Sequence, residues 1–254
     1  MRVVRAFFIA FSMYSSIPVP QFEWRREDMK YVFCFFPWVG AVTGLCVWLW
    51  GMACGYLQIG NTAYTLVGTA LPLLLTGGIH ADGYMDTMDA LHSWQGKERK
   101  LEILKDPHIG AFSVLMLLFY YLIYGAAFSE VSDRKGLALV CLGFVLSRTM
   151  SALTAILLKP AKKEGLLFTF TDSADKKPVV IVLGVELALC CAGILALSWQ
   201  RGLLLMLGAA ACTAYYRRRS YREFGGVTGD TAGYFLLLCE AATVAAAAVG
   251  CHMF

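Results

Sequence analysis

The chain has 254 residues, 58% of them hydrophobic and 16% charged, with a mean hydropathy of +0.61 and a formal net charge of +4. A soluble domain averages about 45–50% apolar and about 25% charged residues, so the composition excludes an ordinary soluble enzyme and points to an integral membrane protein. The small positive charge requires no nucleic acid, because basic residues facing anionic lipid account for it.

The first apolar stretch, Val3 to Tyr14, is too short to cross a bilayer and lacks a small-residue cleavage site. It predicts an interfacial or re-entrant helix rather than a signal peptide. Seven apolar segments follow, at roughly 31–57, 62–79, 110–129, 136–158, 178–199, 202–216 and 231–253, each read as a helix crossing about 30 Å of hydrocarbon. The first is long, with a tilt or break expected near Pro37 or Gly51, and the sixth is the shortest. The expectation is one all-α domain over residues 1–254, a polytopic membrane helix bundle of about seven spans plus the short N-terminal helix.

Seven spans place the termini on opposite sides. Of the 22 Lys and Arg, 18 then share the N-terminal side, Arg134, Lys135 and Arg201 lie on the other, and Arg148 falls within a span. The positive-inside rule predicts that the N-terminus and the long polar loops at 80–109, 159–177 and 217–230 face the cytoplasm. Long loops in compact proteins are usually functional or disordered, so three on one face locate a site. The nine cysteines all fall in apolar segments without zinc-ligand spacing and carry no expected function.

The loop after the second span opens His80-Ala81-Asp82-Gly83-Tyr84-Met85-Asp86-Thr87-Met88-Asp89. On a helix, Asp86 and Asp89 lie four and seven residues beyond Asp82, and the three project within roughly 60° of one another. Such like charges repel unless a cation neutralises them. Mg²⁺ suits the role, because it takes hard oxygen ligands and retains waters and substrate phosphates. No Lys or Glu stands between Asp82 and Asp89 at the spacing of a solvated helix face. His80 reads as a general base, a metal ligand or a phosphate contact, or else as an interfacial histidine bonded to backbone. Asp106 reads as a ligand or as the cap of the next helix, with Pro107 in its first turn.

A second constellation runs Arg217-Arg218-Arg219, Arg222, then Gly225-Gly226-Val227-Thr228-Gly229-Asp230-Thr231 at the start of the last span. Glycines admit close backbone approach, a helix N-terminus presents free N–H groups, and arginines add forked donors. Together these suit a diphosphate. The loop at 159–177 adds cations, Lys162 among them. Inside the spans, Arg148, Glu186 and Glu240 are functional candidates by their cost in lipid. Glu240, about 15 Å beyond Asp230 along an unbroken helix, is a candidate partner for Arg148. The expected ligand-holding set is Lys105, Arg148, Lys162, Arg222, Gly225, Gly226, Thr228 and Gly229. The expected metal set is Asp82, Asp86, Asp89 and Asp230, and the expected catalytic set is His80, Asp82 and Asp106.

Taken in order, these pieces resemble the cobalamin synthase family, the adenosylcobinamide-GDP ribazoletransferases. The matching runs are Ile17-Pro18-Val19-Pro20, Phe36-Pro37-Trp38-Val39-Gly40, Thr76-Gly77-Gly78-Ile79-His80-Ala81-Asp82-Gly83 with Asp86, Thr87 and Asp89, Lys105-Asp106 with Ile109-Gly110-Ala111-Phe112, and Gly225 to Thr231 followed by Glu240. Ala81, Tyr84 and Met85 depart from the family pattern at positions expected to tune packing. The resemblance implies a Mg-dependent enzyme of a bacterial inner membrane that joins adenosylcobinamide-GDP to α-ribazole or its 5′-phosphate and releases GMP. It leaves the oligomeric state open, a homo-oligomer included.

Three rival readings are weaker. An intramembrane prenyltransferase needs a second Asp-rich motif, and Asp172-Ser173-Ala174-Asp175 is a poor one. A CDP-alcohol phosphotransferase needs an Asp-Gly-x-x-Ala-Arg start that is absent. A cation transporter predicts carboxylates near mid-membrane rather than on one face.

Overall fold

The structure is a computed structural model that describes residues 2–254. It contains eleven α-helices: α1 Arg2–Tyr14, α2 Phe36–Leu57, α3 Asn61–Thr76, α4 Ile79–His92, α5 Lys97–Ile103, α6 Ala111–Ser129, α7 Arg134–Leu157, α8 Leu166–Ser173, α9 Lys176–Leu197, α10 Trp199–Glu223 and α11 Gly229–Met253. A 3₁₀ turn over Met29–Phe35 leads into α2. The break expected in the first apolar segment falls here, just before Pro37 in the first turn of α2, where its missing N–H costs nothing.

Seven of the helices (α2, α3, α6, α7, α9, α10 and α11) run between two ends of a bundle. Five segments are long and apolar enough to cross a membrane unaided: Met29–Leu57, Ala111–Ser129, Arg134–Leu157, Lys176–Leu197 and Gly229–Met253. The protein is therefore a multi-pass membrane protein. The bent pair of α3 and α4 makes a sixth candidate, and α10, which the sequence reading also counted, is not among them. α3 has 16 residues, about 24 Å, and ends at Gly77 and Gly78, whose φ values of 63° and 81° suit glycine. The chain bends there by 94° into α4. α10 is a continuous 25-residue helix, longer than the apolar segment inside it, because Arg217–Arg219 and Arg222 extend it beyond the apolar layer.

Helices α7 and α11 form the buried centre, and α2 packs on α7 through small residues. A Cβ on Gly40 would lie 2.4 Å from the Phe144 carbonyl oxygen, and one on Gly44 2.7 Å from that of Cys141. Lipid offers no hydrophobic drive for association, so such close backbone approach is what holds membrane helices together. α6 and α9 instead expose leucine and valine rows, including Leu115, Leu118, Val185 and Leu189. Midway along the bundle, Arg148 of α7 donates to Glu240 of α11 at 2.7 Å, both side chains buried.

The amphipathic α1 packs its Ala6, Ile9, Ala10, Phe11 and Tyr14 face on the 3₁₀ turn and the start of α2. Arg5 pairs with the buried Asp28 at 3.3 Å, and the Ser16 N–H donates to the Leu75 carbonyl at 2.9 Å. This end of the bundle also gathers α4, α5, α8 and the long loops. The opposite end carries the ion pairs Arg201–Asp133 at 2.6 Å and His252–Glu130 at 3.0 Å, with Asp133 capping α7.

Candidate active site

Two glycines set the seam between α4 and α11. Gly83 lies directly against the backbone of Asp230, and Gly233 against the carbonyl of His80. No larger residue would let the helices meet so closely, and the seam places Asp82 and Asp86 of α4 beside Asp230 of α11. Burial first, then the fields of Asp82, Asp230 and Asp89, push the Asp86 carboxyl up to about 7. A patch that cannot comfortably hold all its charge is one that a cation would stabilise.

Asp89 is engaged elsewhere. Its Oδ2 accepts the Gly110 N–H at 2.7 Å and its Oδ1 the Ser113 N–H at 2.8 Å, so it caps α6 from a neighbouring helix. The cap that the sequence offered to Asp106 is supplied by Asp89 instead, and α6 begins only at Ala111, after Gly110. Asp106 is exposed and binds locally, accepting the His108 backbone N–H at 3.0 Å, with its ring Nδ1 at 2.6 Å. These contacts hold its carboxyl below the ordinary carboxylate range.

Thr228 caps α11 through a reciprocal capping box with Thr231, and its hydroxyl also reaches Asp230 at 3.4 Å. The first-turn N–H groups of Gly229 and Asp230 have no carbonyl to bond within the helix. They border a cavity of about 280 Å³ walled by Lys105, Lys162, Glu164, Thr228, Gly229 and Asp230. Lys105 pairs with Glu164, and the Lys162 Nζ donates to the Leu101 carbonyl at 3.2 Å. Burial and the charge of Lys105 pull the Lys162 ammonium below its ordinary value, against the opposing fields of Asp230 and Glu164.

A second cavity of about 190 Å³ adjoins the first and shares Leu166, Leu167, Gly229 and Asp230 with it. Its other walls include Tyr14, Phe36, His80, Asp82 and Ser151. His80 is buried with its ring 6.1 Å from that of Tyr14 and 5.7 Å from that of Phe36, and its Nε2 has no protein partner. Tyr14 and Phe36 lie far from the polar motifs in sequence, and only tertiary packing brings them to the site.

Several expected ligand-holding residues have other surroundings. Arg148 is fully buried against Glu240. Arg222 is exposed beside Glu223 and borders a separate cavity with Met88 and Trp94. Gly225 turns the chain after α10 with φ 76°, and Gly226 is pressed against Lys159 to Ala161, where the Ala161 N–H donates to the Val227 carbonyl at 2.9 Å. These glycines thus tie the 159–165 loop to the start of α11, which carries Lys162 to the cavity.

Among the described residues, no three His, Cys, Asp or Glu side chains converge tightly enough to enclose a metal ion by themselves. Asp82, Asp86 and Asp230 nonetheless share one field. That arrangement fits Mg²⁺, which takes one or two carboxylates and completes its shell with water and phosphate oxygens.

A family model described as cobalamin-5-phosphate synthase matches residues 6–248. The chain belongs to that family. The family is the one that the sequence motifs resemble. Among curated relatives, an adenosylcobinamide-GDP ribazoletransferase of Lachnoclostridium phytofermentans is 42% identical over 94% of this chain and 92% of its own. Proteins of the same name from Clostridium botulinum strain Alaska E43 and Treponema denticola are each 31% identical, over 94% and 95% of this chain and 95% and 96% of theirs. No solved structure matches. Family membership thus spans both helices of the seam and both cavities.

Proposed function

We propose that this protein transfers the adenosylcobinamide phosphate group of adenosylcobinamide-GDP to the ribose hydroxyl of α-ribazole or α-ribazole 5′-phosphate. The products are adenosylcobalamin or its 5′-phosphate, and GMP. The observation that carries the reading is the seam at Gly83, which sets Asp82 and Asp86 beside Asp230 at the mouth of a lysine-walled cavity in a chain of this family.

In the reaction, the ribose oxygen forms a bond to the phosphorus on the cobinamide arm, and the bond from that phosphorus to the GMP oxygen breaks. Lys105, Lys162 and the first-turn N–H groups of α11 are placed to bind the diphosphate. Asp82 is the proton acceptor that the adjoining cavity offers the hydroxyl, because burial and the charge of Arg148 push the His80 imidazole down to about 3 and leave it a weak base. Asp82, Asp86 and Asp230 would hold a magnesium ion. When bound, that ion supplies charge neutralisation to the diphosphate and the departing GMP. Tyr14 and Phe36 give the adjoining cavity an aromatic wall.

The Lys/Arg asymmetry supports a site facing the cytoplasm in a bacterial inner membrane, where both polar substrates are soluble. The test is purified protein with adenosylcobinamide-GDP and α-ribazole, scored by GMP release with Mg²⁺ and with EDTA. Release that needs both substrates and stops with EDTA supports the reading. Absence of release with both substrates and Mg²⁺ refutes the transferase, and full release in EDTA refutes the metal.

A further inference from the structure

A third cavity, of about 540 Å³, lies at the same end of the bundle and shares no residue with the two just described. Helices α6 and α10 both pack on α11 but make at most marginal contact with each other. The cavity fills the gap between them, with Met116 of α6, Tyr215 of α10 and Tyr234 of α11 along its sides. The turn after α4 and the start of α5 cover it with Trp94 and Lys100. Each flanking helix also exposes large apolar side chains, Leu115 and Leu118 on α6 and Leu207 on α10.

Its charge is unbalanced. Arg219, Arg222 and Lys100 line it against a single carboxylate, Glu223, which lies 3.3, 3.7 and 2.5 Å from them. The Arg219 Nε is buried without an acceptor. A buried guanidinium N–H left unpaired is costly, and a phosphate oxygen is its natural partner. Trp94 is 90% exposed at φ 56°, an indole held out of the protein, and tryptophan is the residue type that anchors in membrane interfaces.

We propose that this cavity binds the phosphate headgroup of an anionic phospholipid, with the acyl chains lying between α6 and α10. A soluble phosphate would satisfy the arginines, but it would leave the exposed leucines and the exposed indole without a role. The site is separate from the diphosphate cavity and does not depend on the reaction proposed above.

The experiment compares full-length protein in phosphatidylcholine nanodiscs with and without phosphatidylglycerol, reading retained lipid by native mass spectrometry. A parallel arm follows melting temperature on addition of phosphatidylglycerol, phosphatidylcholine or inorganic phosphate. Wild type should retain phosphatidylglycerol over phosphatidylcholine by roughly tenfold or more, since the basic groups outnumber the one carboxylate beside them. Arg219→Gln with Arg222→Gln should abolish the preference, and Arg219→Lys should keep part of it. Trp94→Ala, at an exposed position that folding does not need, should also lower retention. Equal retention of the two lipids by wild type overturns the proposal, as does an undiminished preference in both the double variant and Trp94→Ala. Stabilisation by inorganic phosphate equal to that by phosphatidylglycerol overturns the lipid as occupant.

Discussion

Gly83 meets the backbone of Asp230 so closely that a methyl group on it would sit 2.9 Å from the Asp230 carbonyl oxygen. With the Gly233–His80 contact, it sets how far the α4 carboxylates stand from the start of α11. Gly83→Ala should force the helices apart by a few tenths of an ångström. Overpacking of this kind costs about 1–3 kcal/mol of stability. The effect on rate should be larger, roughly 10–100-fold, because reacting groups tolerate little misplacement. Rates of GMP release beside melting temperatures would separate the two effects. A Gly83→Ala protein with the wild-type rate would show that the seam does not assemble the site.

The aspartates should fall into two classes. Asp82→Asn and Asp86→Asn should raise the Mg²⁺ concentration needed for half-maximal rate by about tenfold or more, the usual scale for loss of a ligand or its close support. Asp89→Asn should keep that concentration and instead destabilise α6. An amide has one acceptor oxygen where two N–H groups now bond, and loss of a cap costs about 0.5–2 kcal/mol. Magnesium titrations of the three variants, run with thermal melts, decide it. An Asp89 variant that behaved like Asp82→Asn would place Asp89 on the metal.

The contrast between Asp89 and its neighbours marks where the sequence stopped being readable. Helical spacing correctly places three carboxylates in one short segment, because that is a local property of α4. It says nothing of the Gly110 N–H, 21 residues on, which claims Asp89. In the same way Gly225 and Gly226 stand out in the sequence, but the strand of backbone at 159–161 that requires Gly226 is remote. The apolar passes are legible because lipid demands continuous apolar runs. The 94° turn between α3 and α4 is not, because Gly77 and Gly78 permit a bend without giving its direction. Tyr14 and Phe36 belong to the site only through the packing of α1 and the start of α2 beside α4.

Arg148 and Glu240 form a buried ion pair between the two central helices. Removing one partner strands the other charge in the bundle, so Arg148→Met and Glu240→Met should each cost about 3–5 kcal/mol. The double variant Arg148→Met, Glu240→Met should cost clearly less than the sum, since neither charge then remains unpaired. A double-mutant cycle of melting in one detergent measures the coupling. Strict additivity would mean that the pair contributes nothing as a pair.

Lys100 and Glu223 tie α5 to the polar end of α10, with both side chains largely buried. The hydrogen bond from Lys100 comes first among the causes that hold the Glu223 carboxyl below its ordinary value of 4.5. A carboxyl whose folded value is depressed stabilises the protein fully above the unfolded value, and the contribution fades as pH falls through the folded one. Glu223→Gln should therefore melt below wild type at pH 7 by roughly 2–4 °C, the shift that about 1 kcal/mol makes in a domain of this size. The gap should close as the pH is lowered from about 4.5 through the folded value, where wild-type Glu223 becomes neutral as well. Melting curves of the two proteins between pH 7 and pH 3 test this, and a gap that stayed constant across that range would mean that the Lys100 contact adds nothing through charge.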